Sequence, residues 1–365
     1  MCVHTISVVL TVFNLEECLE ETLESLSTQT KIPYEVIIIN DGSQDNSQKI
    51  INKFVNNNIY WKCLETANLG VASARNLGLS VCSGEYVIFL DGDDLFNKDL
   101  ISRLSLATTT GPDIVVCRSR EFDHLTKKSH KLSWAIRSSF LPMEKKFSPS
   151  ELKGSVCYTF MGWAWDKLFK KELLKRFELS FPNLRNSEDL VFVYPAVMLA
   201  DHIEIVEEEL ILHRVSRSNS LSNSLVNNPF DFVEAISMLE AKIRSHPAIW
   251  GRERMCFIQW ALDFYLWGER NCGQNLRLFP RVGKKLDGIN RLKIQYLSSY
   301  SEVQYYPLLK LRLLIRSFPI LDKSFSSLLY YCAFWKKFGY SRVLFWLFSK
   351  IEKKVEFFAK PLVKV

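Results

Sequence analysis

The 365-residue chain contains no C-x-x-C pair, which argues against a zinc ribbon. Its nine cysteines (Cys2, Cys18, Cys63, Cys82, Cys117, Cys157, Cys256, Cys272 and Cys332) are scattered and odd in number. That usage is expected of free thiols in a reducing cytosol. No G-x-G-x-x-G follows a strand, so a dinucleotide-dependent dehydrogenase is excluded. No apolar run approaches the roughly 18 residues of a membrane span. The apolar start Ile6–Val12 lacks a basic flank and a small-residue cleavage site, so no signal peptide is expected. Internal repeats, low-complexity tracts and nucleic-acid reader motifs are also absent, so a nucleic-acid partner is not expected. What remains is a chain that is 47% hydrophobic, enough to fold around a sizeable core. A net charge of +7 suits anionic substrates or an anionic lipid surface.

The stretch Gly84–Asp94 organises the rest. Tyr86–Leu90 is a continuous apolar run, as expected of a strand covered on both faces. It ends in Asp91, Asp93 and Asp94, with Gly92 permitting a sharp turn. So much negative charge at one strand end is costly unless a cation offsets it, and hard cations such as Mg²⁺ or Mn²⁺ take oxygen ligands. The simplest chemical reading is a metal clamp for a substrate diphosphate.

Further strands are read at Ser7–Val12, Glu35–Ile39, Ile59–Leu64 and Ile114–Cys117. Helices are read at Leu15–Thr28, from Asp45 (as cap) to about Val55, at Val71–Leu79 and at Lys98–Thr108. Strands alternating with helices predict βαβ units and a parallel sheet, with ligands at the carboxyl ends of the strands. Phe13, Asp41 and Asp91 fall at or just past such ends. Ser119–Phe160 gives no clear pattern, and Trp163–Phe169 reads as an aromatic insert. A helix over Leu190–Ala200 follows Asn186-Ser187-Glu188-Asp189, and two short strands, Ile203–Val206 and Leu210–Leu212, come next. Beyond Asn227-Asn228-Pro229 the texture turns helical, basic and aromatic. Residues 1–227 are therefore expected to form an α/β catalytic domain and 228–365 a helical one.

Ser7–Asn14, Asn40-Asp41-Gly42-Ser43-Gln44-Asp45-Asn46-Ser47, Asn68–Gly78 with Ala74-Arg75-Asn76, and Phe89-Leu90-Asp91-Gly92-Asp93-Asp94 occur in the order of a known set of motifs. Trp165-Asp166-Lys167-Leu168-Phe169 and Ser187-Glu188-Asp189 continue it. Over its first 220 or so residues the chain resembles a family 2 glycosyltransferase of the GT-A fold, which is Rossmann-like, with a mostly parallel sheet flanked by helices. Two positions depart from the family pattern: Thr11 stands where Pro is frequent, and Phe13 where Tyr is frequent. Phe13 can stack on a base but cannot donate a hydroxyl hydrogen bond.

The resemblance implies a metal-dependent inverting transfer from a nucleotide-sugar, most simply a UDP-sugar, to a glycan or lipid-linked acceptor in surface polysaccharide synthesis. It implies Thr11, Phe13, Asp41, Asn68, Arg75 and Asp91 at the donor nucleotide and Asp93 on Mn²⁺ or Mg²⁺. It places Asp189 as general base, with Asp94, Trp165 and Glu188 as donor-sugar or acceptor candidates. Arg214 is the diphosphate candidate, and His213 either completes the metal shell or is structural. Trp163 is a second aromatic that can stack on a sugar. From Phe325 to Val365 eight basic residues face two acidic ones among many aromatics, which fits either an anionic membrane surface or a packed helical domain. A cytoplasmic protein, peripheral on the inner membrane face, is expected. A sugar-phosphate nucleotidyltransferase would instead carry a Gly-rich basic loop after the first strand, where Phe13-Asn14-Leu15-Glu16 stands. A haloacid-dehalogenase-like phosphatase would carry its Asp-x-Asp on that first strand. A non-catalytic assembly partner has no need for Asp41, Asp91, Asp93 and Asp189 together.

Overall fold

A computed structural model describes residues 4–216, 228 and 231–271. The first half alternates β1 (Ile6–Val12), α1 (Leu19–Ser27), β2 (Glu35–Asn40), α2 (Ser47–Asn57), β3 (Trp61–Glu65), α3 (Val71–Val81), β4 (Tyr86–Asp91), β5 (Leu95–Phe96) and α4 (Leu100–Ala107). Next come β6 (Ile114–Asp123), β7 (Ser129–Lys131), β8 (Lys146–Phe147), α5 (Val156–Thr159), β9 (Lys167–Lys170) and α6 (Lys171–Arg176). They are followed by α7 (Glu188–Leu199), β10 (Ile203–Val215), α8 (Asp231–Arg244) and α9 (Pro247–Asn271).

One mixed sheet runs in the order β3-β2-β1-β4-β9-β6-β10-β5, with β7 on β6 and β8 on β10. Strands β3, β2, β1 and β4 are parallel. Their register puts Val12 beside Asn40, Asn40 beside Glu65 and Thr11 beside Asp91, so the carboxyl ends lie level. The chain winds from β1 outward to β3, then returns to place β4 on the other side of β1. This reversal opens a crevice between the ends of β1 and β4, where ligands of such sheets bind.

Both faces of the central strands are covered, which explains their unbroken apolar sequences. Val8, Leu10, Ile38, Ile88 and Leu90 are buried in one core with Leu19 and Leu23 of α1, Ile51 of α2 and Leu104 of α4. On the other face Phe89 meets Phe169, Phe181 and Phe192, with ring centroids 5.1–6.1 Å apart. Asn46, not Asp45, is the cap residue of α2; Asp45 precedes it and accepts the Ser47 N–H on Oδ1 at 2.9 Å.

Three regions differ from the sequence expectation. The aromatic insert contains β9, whose Leu168 pairs antiparallel with both Ile88 and Val115. This four-residue strand begins with Lys167, fully buried because its ammonium donates to the Met161 and Trp163 carbonyls and to Asp166. The two short strands expected after Ile203 are one, β10, bulged between Val206 and Ile211 where Glu207, Glu208 and Glu209 interrupt the apolar pattern. The unassigned stretch contains the second half of β6, then β7, β8 and α5.

Past the boundary expected at 227–228, α8 packs on α7, and α9 on α8 and α5. Among the described residues no helix is long and apolar enough to cross a membrane. The basic aromatic tail lies outside the described residues.

At the amino end of the sheet, Glu35 joins β2, β1 and the loop before β4. It accepts from the Ser7 hydroxyl at 2.7 Å, the Ser83 N–H at 2.6 Å and the Lys62 ammonium at 3.0 Å. Burial opposes its ionisation, but these donors outweigh it and hold the carboxyl down at about 2. A lowered folded-state value contributes stability above the ordinary carboxylate range, lost as pH falls toward 2. Replacing Glu35 by Gln is expected to cost about 1–3 kcal/mol at pH 7. In urea denaturation the gap between the two proteins should narrow as pH falls below about 4.5; a constant gap would show that the charge is not what matters.

Candidate active site at the carboxyl ends of the strands

The loops after β1, β2 and β3 are tied together by the residues of the Asn40–Ser47 motif. Asn40 Oδ1 accepts from the Ser43 hydroxyl at 2.6 Å, and Ser43 Oγ in turn accepts the Asn14 N–H at 3.0 Å. Asp45 accepts the Glu16 N–H at 2.9 Å, while Ser47 Oγ accepts that of Leu15 at 2.9 Å. Asp41, only 4% exposed, accepts from the Thr66 hydroxyl (2.6 Å) and the Leu69 N–H (2.7 Å) on Oδ1 and from the Gly70 N–H (2.7 Å) on Oδ2. A carboxylate oxygen has two lone-pair sites, so Oδ2 retains one for a ligand N–H. Gly42 has φ +76°, and a Cβ there would stand 2.9 Å from the Asn68 nitrogen, so the close approach of the two loops requires glycine. Asn68 and Phe13 are exposed at this mouth.

Beyond β4 the chain turns back at once. The Gly92 N–H donates to the Thr11 carbonyl, and a Cβ at Gly92 would lie 2.7 Å from that oxygen. Asp91 and Asp93 are partly buried at the turn. Asp94 is fully buried: Oδ1 accepts the Arg214 backbone N–H at 2.8 Å and lies 3.1 Å from His213 Nδ1. Asp94 therefore positions His213 at the end of β10. Burial opposes protonation of His213, but the charges of Asp94, Asp93 and Asp91 outweigh it and push the imidazole up to about 9.

Arg75, on α3, is 5% exposed. Its guanidinium donates to Asp91 Oδ1 at 2.9 Å and to Glu188 Oε1 at 2.8 Å, and lies over the Phe181 ring. Here it connects the acidic turn to the start of α7. Ser187, with φ +60°, makes the bend that brings Glu188 and Asp189 to that helix start. Burial pushes both carboxyls upward; for Asp189, with the adjacent Glu188 charge adding to burial, the rise is to about 8.

Arg214, the diphosphate candidate, is 2% exposed, and protein groups engage its guanidinium. It donates to the Asp93 carbonyl at 2.7 Å and to Glu21 at 2.8 Å, and lies 3.0 Å from His124 Nδ1. It braces the turn carrying Asp93 against α1. Trp165 is only 4% exposed, stacked on both Trp163 (centroids 4.7 Å apart) and His213 (4.9 Å), so it is not open to a sugar. The bridge from Asp91 through Arg75 to Glu188 joins residues up to 113 positions apart, which leaves no local signal in the sequence.

Among the described residues, no three His, Cys, Asp or Glu side chains are gathered as a ready metal shell. Asp91 and Asp93 nonetheless place two carboxylates, hard oxygen donors, at this turn. Mg²⁺-like ions typically take one or two carboxylates plus substrate phosphates, a pattern this donor set fits.

Removing one partner of a buried ion pair strands the others. Arg75→Gln is expected to destabilise the fold by about 3–5 kcal/mol through Asp91 and Glu188. Chemical denaturation measures this; a loss under about 1 kcal/mol would show that the bridge is not formed.

Residues 7–173 match the model described as glycosyl transferase family 2. The chain is 28% identical over 219 residues to a putative glycosyltransferase, EpsH, of Bacillus subtilis (strain 168), covering 59% of this chain and 62% of that protein. It is 30% identical over 229 residues to an uncharacterized glycosyltransferase, EpsJ, of the same strain, covering 62% and 64%. It thus spans less than two thirds of these relatives. Crystal structures of S. aureus TarS 1–349 superpose with a TM-score of 0.60 at 20% identity, over 93% of both chains. The complex of that protein with UDP-GlcNAc gives 0.58 at 21%, over 76% of this chain and 77% of TarS. The likeness establishes the fold. Motif order, sheet topology and these matches agree in likening residues 7–173 to glycosyl transferase family 2 and in giving the chain the GT-A fold.

Proposed function

We propose that the protein is a metal-dependent inverting glycosyltransferase that moves a sugar from a UDP-sugar to a glycan or lipid-linked acceptor in surface polysaccharide synthesis. What supports this reading is that Asp41 and the Asp91–Asp94 turn stand at the ends of strands flanking β1, and that Arg75 joins Asp91 to Glu188, the neighbour of Asp189. The UDP-GlcNAc complex of TarS supports the choice of donor class. The lack of a basic phosphate loop after β1, where Phe13-Asn14-Leu15-Glu16 stands, disfavours a nucleotidyltransferase.

In this scheme Phe13 stacks on the base and Asp41 Oδ2 accepts its ring N–H. Thr11, Asn68 and Asp91 line the ribose and phosphate path. Asp93 would hold Mn²⁺ or Mg²⁺, whose charge offsets that of the departing diphosphate. Asp189 accepts the proton of the acceptor hydroxyl as that oxygen attacks the anomeric carbon. The new C–O bond forms as the bond to UDP breaks, and the electron pair leaves with the diphosphate. One displacement inverts the anomeric centre. A raised carboxyl makes Asp189 a stronger base, once ionised, than an ordinary aspartate. The basic tail fits docking at an anionic lipid surface where such acceptors lie.

Two measurements test the scheme. Calorimetry of UDP binding should show tighter binding with Mn²⁺ than without, and Asp93→Ala should remove only the metal-dependent part. Equal affinity with and without metal in the unmodified protein overturns the metal role.

Asp189→Asn should retain donor binding and lower turnover by roughly 10²-fold or more. Protonated Asp189 cannot accept a proton, so the unmodified rate should rise with pH through a limb displaced from the ordinary carboxylate range toward 8. Near-normal turnover in the variant would move the role to Glu188.

A further inference from the structure

Trp134 is an exposed aromatic that the scheme above does not use. Half of its surface is in water, yet its loop is pinned on both sides. Leu132, Ala135 and Ile136 are buried; the Ala135 N–H donates to Leu132 and the Met161 N–H to Ala135. Ile136 also bridges to Phe160. A large indole held in water by a fixed turn has its orientation set in advance.

Trp134 stands edge-on to Trp163, centroids 5.4 Å apart and planes at 69°. Trp163 is itself partly exposed and stacks on Trp165, which stacks on His213, which meets Asp94. A continuous series of rings therefore runs from solvent to the acidic turn. Its backing is rigid, because the buried Lys167 ammonium holds the Met161 and Trp163 carbonyls at 2.9 Å. Its surroundings are polar, with exposed Lys131 and Ser133 beside it. An aromatic face in a polar rim suits a pyranose, which presents an apolar C–H face edged by hydroxyls. The series reaches the turn from the side of β6, β9 and β10, whereas Asp41 and Asn68 lie at the ends of β2 and β3.

We infer that Trp134 and Trp163 form a platform that binds a pyranose ring of the acceptor, so that the acceptor is a glycan rather than an acyclic polyol phosphate. This rests on the transferase reading. Trp163, rather than the enclosed Trp165, then takes the stacking role expected from sequence.

The test uses the full chain with UDP-GlcNAc and other UDP-sugars. Donor hydrolysis by water is measured first, because it requires the donor site and not the platform. Short pyranose oligosaccharides, such as cellobiose and chitobiose, and ribitol phosphate are then offered as acceptors. Transfer to a pyranoside is expected, with Trp134→Ala raising its KM roughly tenfold or more. The kcat and donor hydrolysis should stay within about twofold, and Trp134→Phe should recover most of the affinity. An unchanged KM in Trp134→Ala, or transfer to ribitol phosphate alone, overturns the platform. A drop in hydrolysis and melting temperature matching the drop in transfer would show a merely structural tryptophan and also overturn it. Absence of hydrolysis with every UDP-sugar and metal, together with absence of transfer, overturns the transferase reading itself.

Discussion

The buried guanidinium of Arg75 is the interaction on which the site depends. It sits between Asp91, at the end of a central strand, and Glu188, at the start of a helix 113 residues away from it. Two carboxylates cannot be drawn from water so close together without a cation between them. An arginine suits the position because its planar fork donates to two acids at once while its face rests on Phe181. The bridge fixes where α7 begins relative to the acidic turn, and hence where Asp189 stands. Burial and the adjacent Glu188 charge push the Asp189 carboxyl upward at that helix start.

A second brace acts on the opposite flank of the turn. Asp94, Arg214 and Glu21 connect the turn, β10 and α1, so Asp93 is displayed from a backbone held on both sides. The turn that displays Asp93 is thus held by buried, charged and paired residues such as Asp94 and Arg214, the arrangement that preorganised electrostatic sites require. Much of the charge in the motifs serves this support: Asp94, Asp45 and Glu188 each bind protein groups.

The aromatic wall follows the same division. Lys167 looks like a surface residue in sequence, yet its buried ammonium gathers the carbonyls of the loop carrying Trp163 and Trp165. Its pairing with Asp166 allows β9 to enter the centre of the sheet with a charged residue at its first position. Trp165 and His213 then stack because β9 and β10 flank β6, not because any spacing along the chain brings them together.

The sequence by itself determined the parallel half of the fold and the ends at which the chemistry gathers. Continuous apolar strands, Gly42 and Gly92 at the turns and Asp45 before α2 are local signals, each dictated by backbone geometry or by burial on both faces. The carboxylates at Asp41, Asp91 and Asp93 were legible for the same reason, since strand ends are local. Tertiary structure alone decided which charges are exposed and which are buried in pairs. Arg75 is expected at the donor nucleotide and Arg214 at its diphosphate, and both guanidiniums are engaged by protein acids. Trp165 reads as a sugar platform but is enclosed, and Glu207–Glu209 read as a break between strands but form a bulge within one. Each of these depends on partners brought from far along the chain. Such pairing is set by strand order and packing, which hydrophobic periodicity does not encode.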